Sequence, residues 1–401
     1  MNSKQNNKYS FINLFLWGRG IYRKIPPCCR WILFPLKGSL TVIRAFRFNL
    51  WVLTGEEIKS KQTLGILYAG RKENKNYIAN LAFAGPYAEN YIGNIWIWSV
   101  LRKVKEEKYY SYLVVVEVYR FFRILFGNNF FYIPCWITGE TDISKNISSL
   151  ANSSNENDIR KIKKNNLSFE STNEISHLYD FYHNMYLPNI TEAHNNEVIV
   201  TEYNILKENF KNCDLIFIKS KEEYIGGYLI VYAGKRARLW CLGVKNGNRD
   251  YLQQGVVGAL YYFSFCYLKN RGFRNVGLGD TRAFLKDGVL QYKKKWGMRI
   301  IGASPTGFLV NILPERNSAK GFFLNNPFIY MDKGKLEAAI FIENDPLLSE
   351  KDLKKIYKDY YRYGISKLII YQFGGSGSKE KEAVPTDLSD SMEIRSVESL
   401  F

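Results

Sequence analysis

The sequence predicts an α/β protein built around mixed sheets, and three observations carry that prediction. Short β-branched and aromatic runs recur along the chain, among them Tyr112–Tyr119 (YLVVVEVY) and Tyr224–Ala233 (YIGGYLIVYA). Between Asp214 and Leu313 such runs alternate with helical patterns in the order β-β-β-α-β-α-β. A later strand–helix–strand pattern, Glu337–Glu343, Ser349–Tyr363 and Lys367–Phe373, has the form of one more βαβ unit. The 401 residues accommodate two domains with extensions, and a hydrophobic content of 46% supplies their cores.

The first element is a basic, aromatic arm, residues 1–39. The first fifty residues hold nine Lys/Arg and no Asp/Glu, half of the formal net charge of +18. Phe11, Phe15, Trp17, Trp31 and Phe34 interleave there with Arg19, Arg23, Lys24 and Arg30, a composition suited to an anionic bilayer surface. Packing of the arm on the protein is the other reading. Phe11–Trp17 is apolar but short and has no cleavage-like site after it, so no signal peptide is expected. No uncharged stretch reaches 18 residues, so no transmembrane helix is expected. A cytoplasmic protein, free or peripheral at the inner face of the membrane, follows. Cysteine usage agrees: the six cysteines form no CxxC pair and mostly sit in apolar runs, as reduced core residues do. Cys28 and Cys29 are either plain thiols or an acylation site.

Leu40–Leu53, Leu64–Ala69, Tyr77–Phe83, Tyr112–Tyr119 and Phe131–Ile137 read as strands, and Ile95–Lys108 as a helix. Together they form a mixed half, residues 40–145. Ser144–Asn157 is polar and aperiodic, a linker. Asp158 is placed to N-cap a basic helix over Asn157–Lys164. Leu178–Tyr186 reads as a helix ended by Pro188, and Leu206–Asn212 as another. Asp214–Lys219, Tyr224–Ala233 and Arg236–Leu242 read as three strands. Leu252, Val256, Leu260, Phe263 and Tyr267 recur at helical spacing before Gly272. Asn275–Gly279 is a strand, Gly288–Trp296 a helix with Asp287 as its N-cap, and Ile300–Leu313 a strand pair. These elements form a second domain, 155–315, followed by the extension 316–373. Gly374–Ser378 (GGSGS) opens an acidic, Ser-rich tail, 374–401, read as a flexible linker or tag outside the fold.

Four groups of residues support chemistry. The turn before the Leu252–Lys269 helix offers a helix N-terminus, Gln254, close-approach glycines Gly255 and Gly258, and the cations Lys245 and Arg249, a candidate phosphate seat. Asp280 and Arg282 follow a strand end, where ligand crevices of α/β sheets lie, so Asp280 is a candidate base or orienting group. Tyr292 shares a helix face with Gly288 and Trp296, and would serve as a proton donor if Lys293 or Arg299 lowered its pKa. Otherwise Lys293, Lys294 and Lys295 read as a solvated or anion-facing turn. His194, flanked by Glu192 and Glu197, is either a base or a surface histidine. His177, His183 and His194 lack metal-ligand spacing, and no metal is expected.

Five segments in this order resemble the GNAT acyltransferases, specifically the FemAB-like and CelD-like branch. They are NDIRKIKKNNLSFE (Asn157–Glu170), FYHNMYLPNITEAHNN (Phe181–Asn196), LWCLGVKNGN (Leu239–Asn248), QQGVVGALYYFSF (Gln253–Phe265) and GLGDTRAFLKDGVLQYKKKWG (Gly277–Gly297). The resemblance implies a mixed sheet splayed at its middle, and residues 40–145 as a second, degenerate GNAT-like domain. It implies an N-acyltransferase moving an acyl group from an acyl-CoA such as acetyl-CoA to an amine of a sugar, peptide or cell-envelope precursor. Tyr292, Asp280 and His194 would be catalytic. Lys245, Arg249, Gln254, Gly255 and Gly258 would hold the donor, and Glu192, Arg282 and Trp240 the acceptor. The family's pyrophosphate loop reads Gln/Arg-x-x-Gly-x-Gly/Ala, whereas Gln254-Gly255-Val256-Val257-Gly258-Ala259 carries those residue types in another register. The FemAB-like relatives use aminoacyl-tRNA, a donor that a basic groove suits. A non-catalytic, basic membrane-surface or nucleic-acid-binding protein with the same fold is the third reading, and it predicts a blocked cleft.

Overall fold

The computed structural model describes residues 46–104, 106, 113–126, 130–144, 155–194, 200–311, 317–343, 348–374 and 384–400. The arm at 1–39, Cys28 and Cys29, most of the 144–157 linker and most of GGSGS lie outside them. The chain is mixed α/β, as expected, with three sheets that each combine parallel and antiparallel pairs.

The first sheet begins with the hairpin β1 (Arg47–Glu56) and β2 (Thr63–Gly70), followed by helix α1 (Lys72–Ala82). The expected strand at Tyr77–Phe83 is therefore helical. Ile78, Ala79 and Ala82 are its buried stripe, a three-to-four-residue spacing that the aromatic Tyr77 and Phe83 disguise. Next come β3 (Ala88–Trp96), helix α2 (Ile97–Val104), β4 (Leu113–Tyr119), the 3₁₀ turn Arg120–Leu125 and β5 (Phe130–Pro134).

The second sheet begins before the linker, with β6 (Ile137–Asp142), and resumes after it. Helix α3 (Glu156–Lys164), β7 (Ser168–Thr172), α4 (Ser176–Asp180), a π-helical turn (Phe181–Tyr186) and α5 (Leu187–His194) follow. Pro188 does not end the helix. A π turn precedes it, with the Leu187 N–H donating to the Tyr182 carbonyl five residues back, and α5 runs on through Pro188 in its first turn. Then come α6 (Tyr203–Asn209), β8 (Cys213–Ser220), β9 (Glu223–Ala233), β10 (Arg236–Val244), α7 (Arg249–Gln254), α8 (Val256–Asn270), β11 (Asn275–Thr281), α9 (Gly288–Lys295), β12 (Arg299–Ala303) and β13 (Thr306–Asn311). Helix α8 buries Val256, Leu260, Phe265 and Leu268 against the sheet, each worth about 1.5–3 kcal/mol.

The expected domain limits at 145 and 315 do not separate the two sheets. β6 inserts between β11 and β12 of the second sheet, and β13 inserts between β4 and β5 of the first. β5 pairs with β13 and β6 with β12, so two bent strands run together as one antiparallel ribbon from sheet to sheet. At the bend the Ser304 N–H donates to the Trp136 carbonyl (2.8 Å) and the Cys135 N–H to the Thr306 carbonyl (3.0 Å). Pro134 and Pro305 flank it, where a regular ladder could not use them.

The third sheet holds β14 (Phe328–Asp332), after helix α10 (Asn317–Asn325), then β15 (Lys335–Glu343), helix α11 (Glu350–Tyr360), β16 (Leu368–Phe373) and β17 (Met392–Ser396). β15 and β16 are parallel, the expected βαβ unit. The tail differs from its expectation. Residues 384–400 are folded, β17 lies parallel to β16, and Met392 and Val397 are buried. Alternation in Met392-Glu393-Ile394 is too short to stand out amid acidic and serine residues.

The second sheet contains the feature that positions a site. The parallel neighbours β10 and β11 pair only at Ala237–Val276 and Arg238–Gly277, then diverge. β10 also bulges against β9 between Leu239 and Cys241, leaving Trp240 out of register. In the first sheet the second strand of a hairpin, β2, also runs parallel to a later strand, β4, with α1, β3 and α2 between them. There the end of the parallel pair is filled: the Glu117 carboxylate accepts from the Tyr68 hydroxyl (3.1 Å), the Arg71 N–H (2.9 Å) and the Arg71 guanidinium.

Candidate functional site

A cavity of about 510 Å³ occupies the gap between β10 and β11. Arg238, Leu239, Trp240 and Leu242 of β10 line one side, and Leu278, Gly279 and Asp280 of β11 the other. Tyr292 and Lys293 enter from α9, Val257 and Tyr261 from α8, and Tyr186 from the π turn. Three sequence candidates, Asp280, Tyr292 and Trp240, are thus brought together. Its aromatic and aliphatic lining is shared with Arg238, Asp280 and Lys293, polar groups of the kind that fix a ligand's orientation.

Asp280 stands at the rim, exposed. Its Oδ1 accepts from Thr138 Oγ1 (2.6 Å), and its Oδ2 pairs with Arg238 (3.2 Å). Thr138 is on β6, the strand donated by the first half. Both carboxylate oxygens are engaged, an arrangement suited to orienting a cationic amine.

Tyr292 differs from its expectation electrostatically. Burial raises its pKa, and Asp158 raises it further, so the hydroxyl is held protonated rather than acidified by lysines. The hydroxyl donates to Asp158 Oδ2 (3.3 Å). Asp158 is in the first turn of α3, not at its N-cap, which is Asn155. Lys295 Nζ lies 5.5 Å from the centroid of the Tyr292 ring.

Lys293 is the residue that sequence reasoning passed over. It is 5% exposed, and its Nζ donates to the Asp280 carbonyl (2.8 Å). Burial lowers its pKa to about 8; Asp280 opposes that shift and Arg238 reinforces it. The signal was helical phase: Leu290, Lys293 and Trp296 recur every three residues and all three are buried. Asp287 is the expected N-cap, its Oδ1 accepting from the Val289 and Leu290 N–H groups (3.0 Å each). The loop ahead of it is pinned by the third sheet, since the Leu285 N–H donates to the Pro327 carbonyl (2.8 Å) and the Ile329 N–H to the Ala283 carbonyl (2.7 Å).

The other candidates lie elsewhere. Arg282 is sandwiched between Trp136 (3.9 Å) and Tyr77 (4.3 Å), joining the two halves instead of facing the cavity. Lys245 pairs with Glu223 (2.8 Å), and Arg249 with Glu192 (3.6 Å), so the two cations of the expected phosphate seat face carboxylates. Gln254 presents its carbonyl to Asn165 Nδ2 (2.9 Å). Gly255 is left-handed (φ 97°) and leaves no room for a Cβ beside Lys161, while at Gly258 a Cβ would come within 2.8 Å of Asp158 Cβ. These glycines let α8 approach α3. The His194 side chain lies outside the described residues. Among the described residues no group of three His, Cys, Asp or Glu could hold a metal ion, and no helix is long and apolar enough to cross a membrane.

No protein-family model matches the chain, and no curated protein matches it. Solved structures similar to it include FemX, at 15% identity and TM-score 0.34, over 65% of this chain and 84% of that one. L-PGS from Bacillus licheniformis matches at 11% identity and TM-score 0.33, over 69% and 85%. A GCN5-related N-acetyltransferase from Sphaerobacter thermophilus matches at 11% identity and TM-score 0.29, over 62% and 71%.

Proposed function

We propose that the chain is a transferase that moves an acyl or aminoacyl group from an activated ester or thioester onto an amine held in the β10–β11 cavity. The observation that carries this reading is the strand divergence itself. It opens a cavity onto an unpaired edge of β10 and gathers a carboxylate, a buried lysine and a protonated tyrosine around it. The first half is read as a degenerate copy, its equivalent opening closed by Glu117.

In this mechanism the donor carbonyl lies along β10 beyond Leu239, where N–H groups outside the ladder stabilise the developing oxyanion. Asp280 orients the incoming ammonium. Neutral Lys293 takes its proton, which requires pH near or above about 8. The amine nitrogen then bonds to the carbonyl carbon, the carbon–sulfur or carbon–oxygen bond breaks, Tyr292 gives its proton to the departing atom, and the second proton shed by the nitrogen restores the tyrosine hydroxyl through solvent. Asp158 holds the tyrosine hydroxyl in place.

Acyl-CoA is the donor favoured by the family resemblance. Aminoacyl-tRNA is favoured by one observation: Gly255 and Gly258 are spent on packing against α3, which removes the close-approach glycines a pyrophosphate would use. Thermal stabilisation by acetyl-CoA, longer acyl-CoAs and aminoacyl-tRNA, each at about one hundred times its Kd, separates the donors. A true donor adds about 2.7 kcal/mol at that excess. Absence of stabilisation by every donor would reject the transferase reading. The acceptor is read as an amino sugar, a peptide or an envelope precursor.

A further inference from the structure

One end of the first sheet presents apolar side chains to solvent. Ile124 is 87% exposed, Phe121 64% and Trp98 56%. Ring contacts connect Trp98 and Phe121 through half-buried Phe46 and buried Phe122: Trp98 lies 5.7 Å from Phe46, Phe46 4.8 Å from Phe122, and Phe122 4.2 Å from Phe121. Cations are set among them. Arg47 covers the Trp96 ring at 5.5 Å, Arg102 and Lys103 close the last turn of α2, and Arg120 and Arg123 share the 3₁₀ turn with Phe121 and Ile124. Asp332 pairs with Arg123 (3.4 Å) and Glu106 with Lys103 (3.5 Å), so cations remain in excess.

The chain enters this surface at Phe46, whose carbonyl accepts from the Ile97 N–H (2.8 Å). Immediately before it lies the arm, with no acidic residue in the first fifty positions. Arm and patch therefore carry the same sign of charge and the same aromatic character. By charge complementarity an anionic partner suits both. An apolar tip ringed by cations, with tryptophans at the margin, matches the boundary between lipid headgroups and acyl chains. We propose that the face formed by α2 and the Arg120–Leu125 turn docks on an anionic lipid bilayer, with Phe121 and Ile124 inserted below the headgroups.

Flotation of the full-length protein with vesicles tests this. Vesicles of phosphatidylcholine alone are compared with vesicles containing about one-third phosphatidylglycerol, a charge density that attracts basic surfaces. Binding at least tenfold stronger to the anionic vesicles is expected, on the order set by several cations acting together. The Phe121→Ser/Ile124→Ser variant should lose about tenfold or more, with an unchanged melting midpoint; Ile124→Ser alone should show a smaller loss. The proposal is overturned if the double variant binds like the parent, or if the parent binds neither vesicle. It is also overturned if the parent self-associates in solution and the double variant does not, since a second copy would then be the occupant.

Discussion

Replacing Lys293 with methionine should remove a pH dependence from the stability of the fold. The ammonium is 5% exposed, and burial brings its pKa from 10.5 to about 8. That gap corresponds to about 3 kcal/mol, at about 1.4 kcal/mol per pH unit. In the unfolded chain the lysine keeps its proton up to about pH 10.4, whereas the folded chain releases it near pH 8. Between these values the unfolded chain binds more protons, so stability rises with pH and gains about 3 kcal/mol across the window. Below pH 8 both states are protonated and the folded chain bears the full cost of a buried cation. Methionine fills similar volume without a charge, and gives up the hydrogen bond to the Asp280 carbonyl. The stability of Lys293→Met minus that of the parent should therefore fall by about 3 kcal/mol between pH 8 and 10.5. Lys294, whose pKa burial also lowers to about 8, is present in both proteins and cancels. Urea unfolding at closely spaced pH values measures the difference. A difference that stays flat with pH would put the ammonium in water and remove Lys293 from the proposed proton transfer.

Three further outcomes are expected. Tyr292→Phe should lower acyl-transfer turnover by about a hundredfold with little change in fold, the usual range for loss of a general acid, and unchanged turnover would end its assigned role. Asp280→Asn should raise KM for the amine more than it lowers kcat, because the carboxylate orients the acceptor; steady-state kinetics with the amine varied would show the opposite split if Asp280 were the base. Gly364→Ala should destabilise by about 2–4 kcal/mol in chemical unfolding, since the residue is left-handed (φ 97°) and a Cβ would run into the Ile300 carbonyl; a loss below about 0.5 kcal/mol would mean that loop moves freely.

The candidate site was partly legible because two of its parts are local. A strand ending in Gly279-Asp280 and a helix carrying Tyr292 lie within one short segment, and period alone identifies both elements. Trp240 was legible as a strand residue near that segment. Lys293 was not, because three adjacent lysines look alike until Leu290 and Trp296 set the helical phase. Arg282 looked like a ligand contact for the opposite reason: its chain position is right, but Trp136 and Tyr77, both from the first half, claim it. Lys245 and Arg249 failed similarly, since Glu223 and Glu192 oppose them from other elements.

By itself the sequence determined the mixed α/β class, most of the strand and helix order from Asp214 to Asn311, with the break between α7 and α8 at Gly255 the exception, the parallel βαβ unit near the end and the helix cap at Asp287. Each rests on periodicity or side-chain chemistry within a few residues. Only the tertiary structure decided that β6 and β13 exchange places between sheets, that residues 384–400 complete the third sheet, and that β10 and β11 part after two residue pairs. Those outcomes depend on which distant strand edges meet. A strand's own residues specify its faces through their alternation, but its hydrogen-bonding edges are backbone, which is the same in every residue but proline.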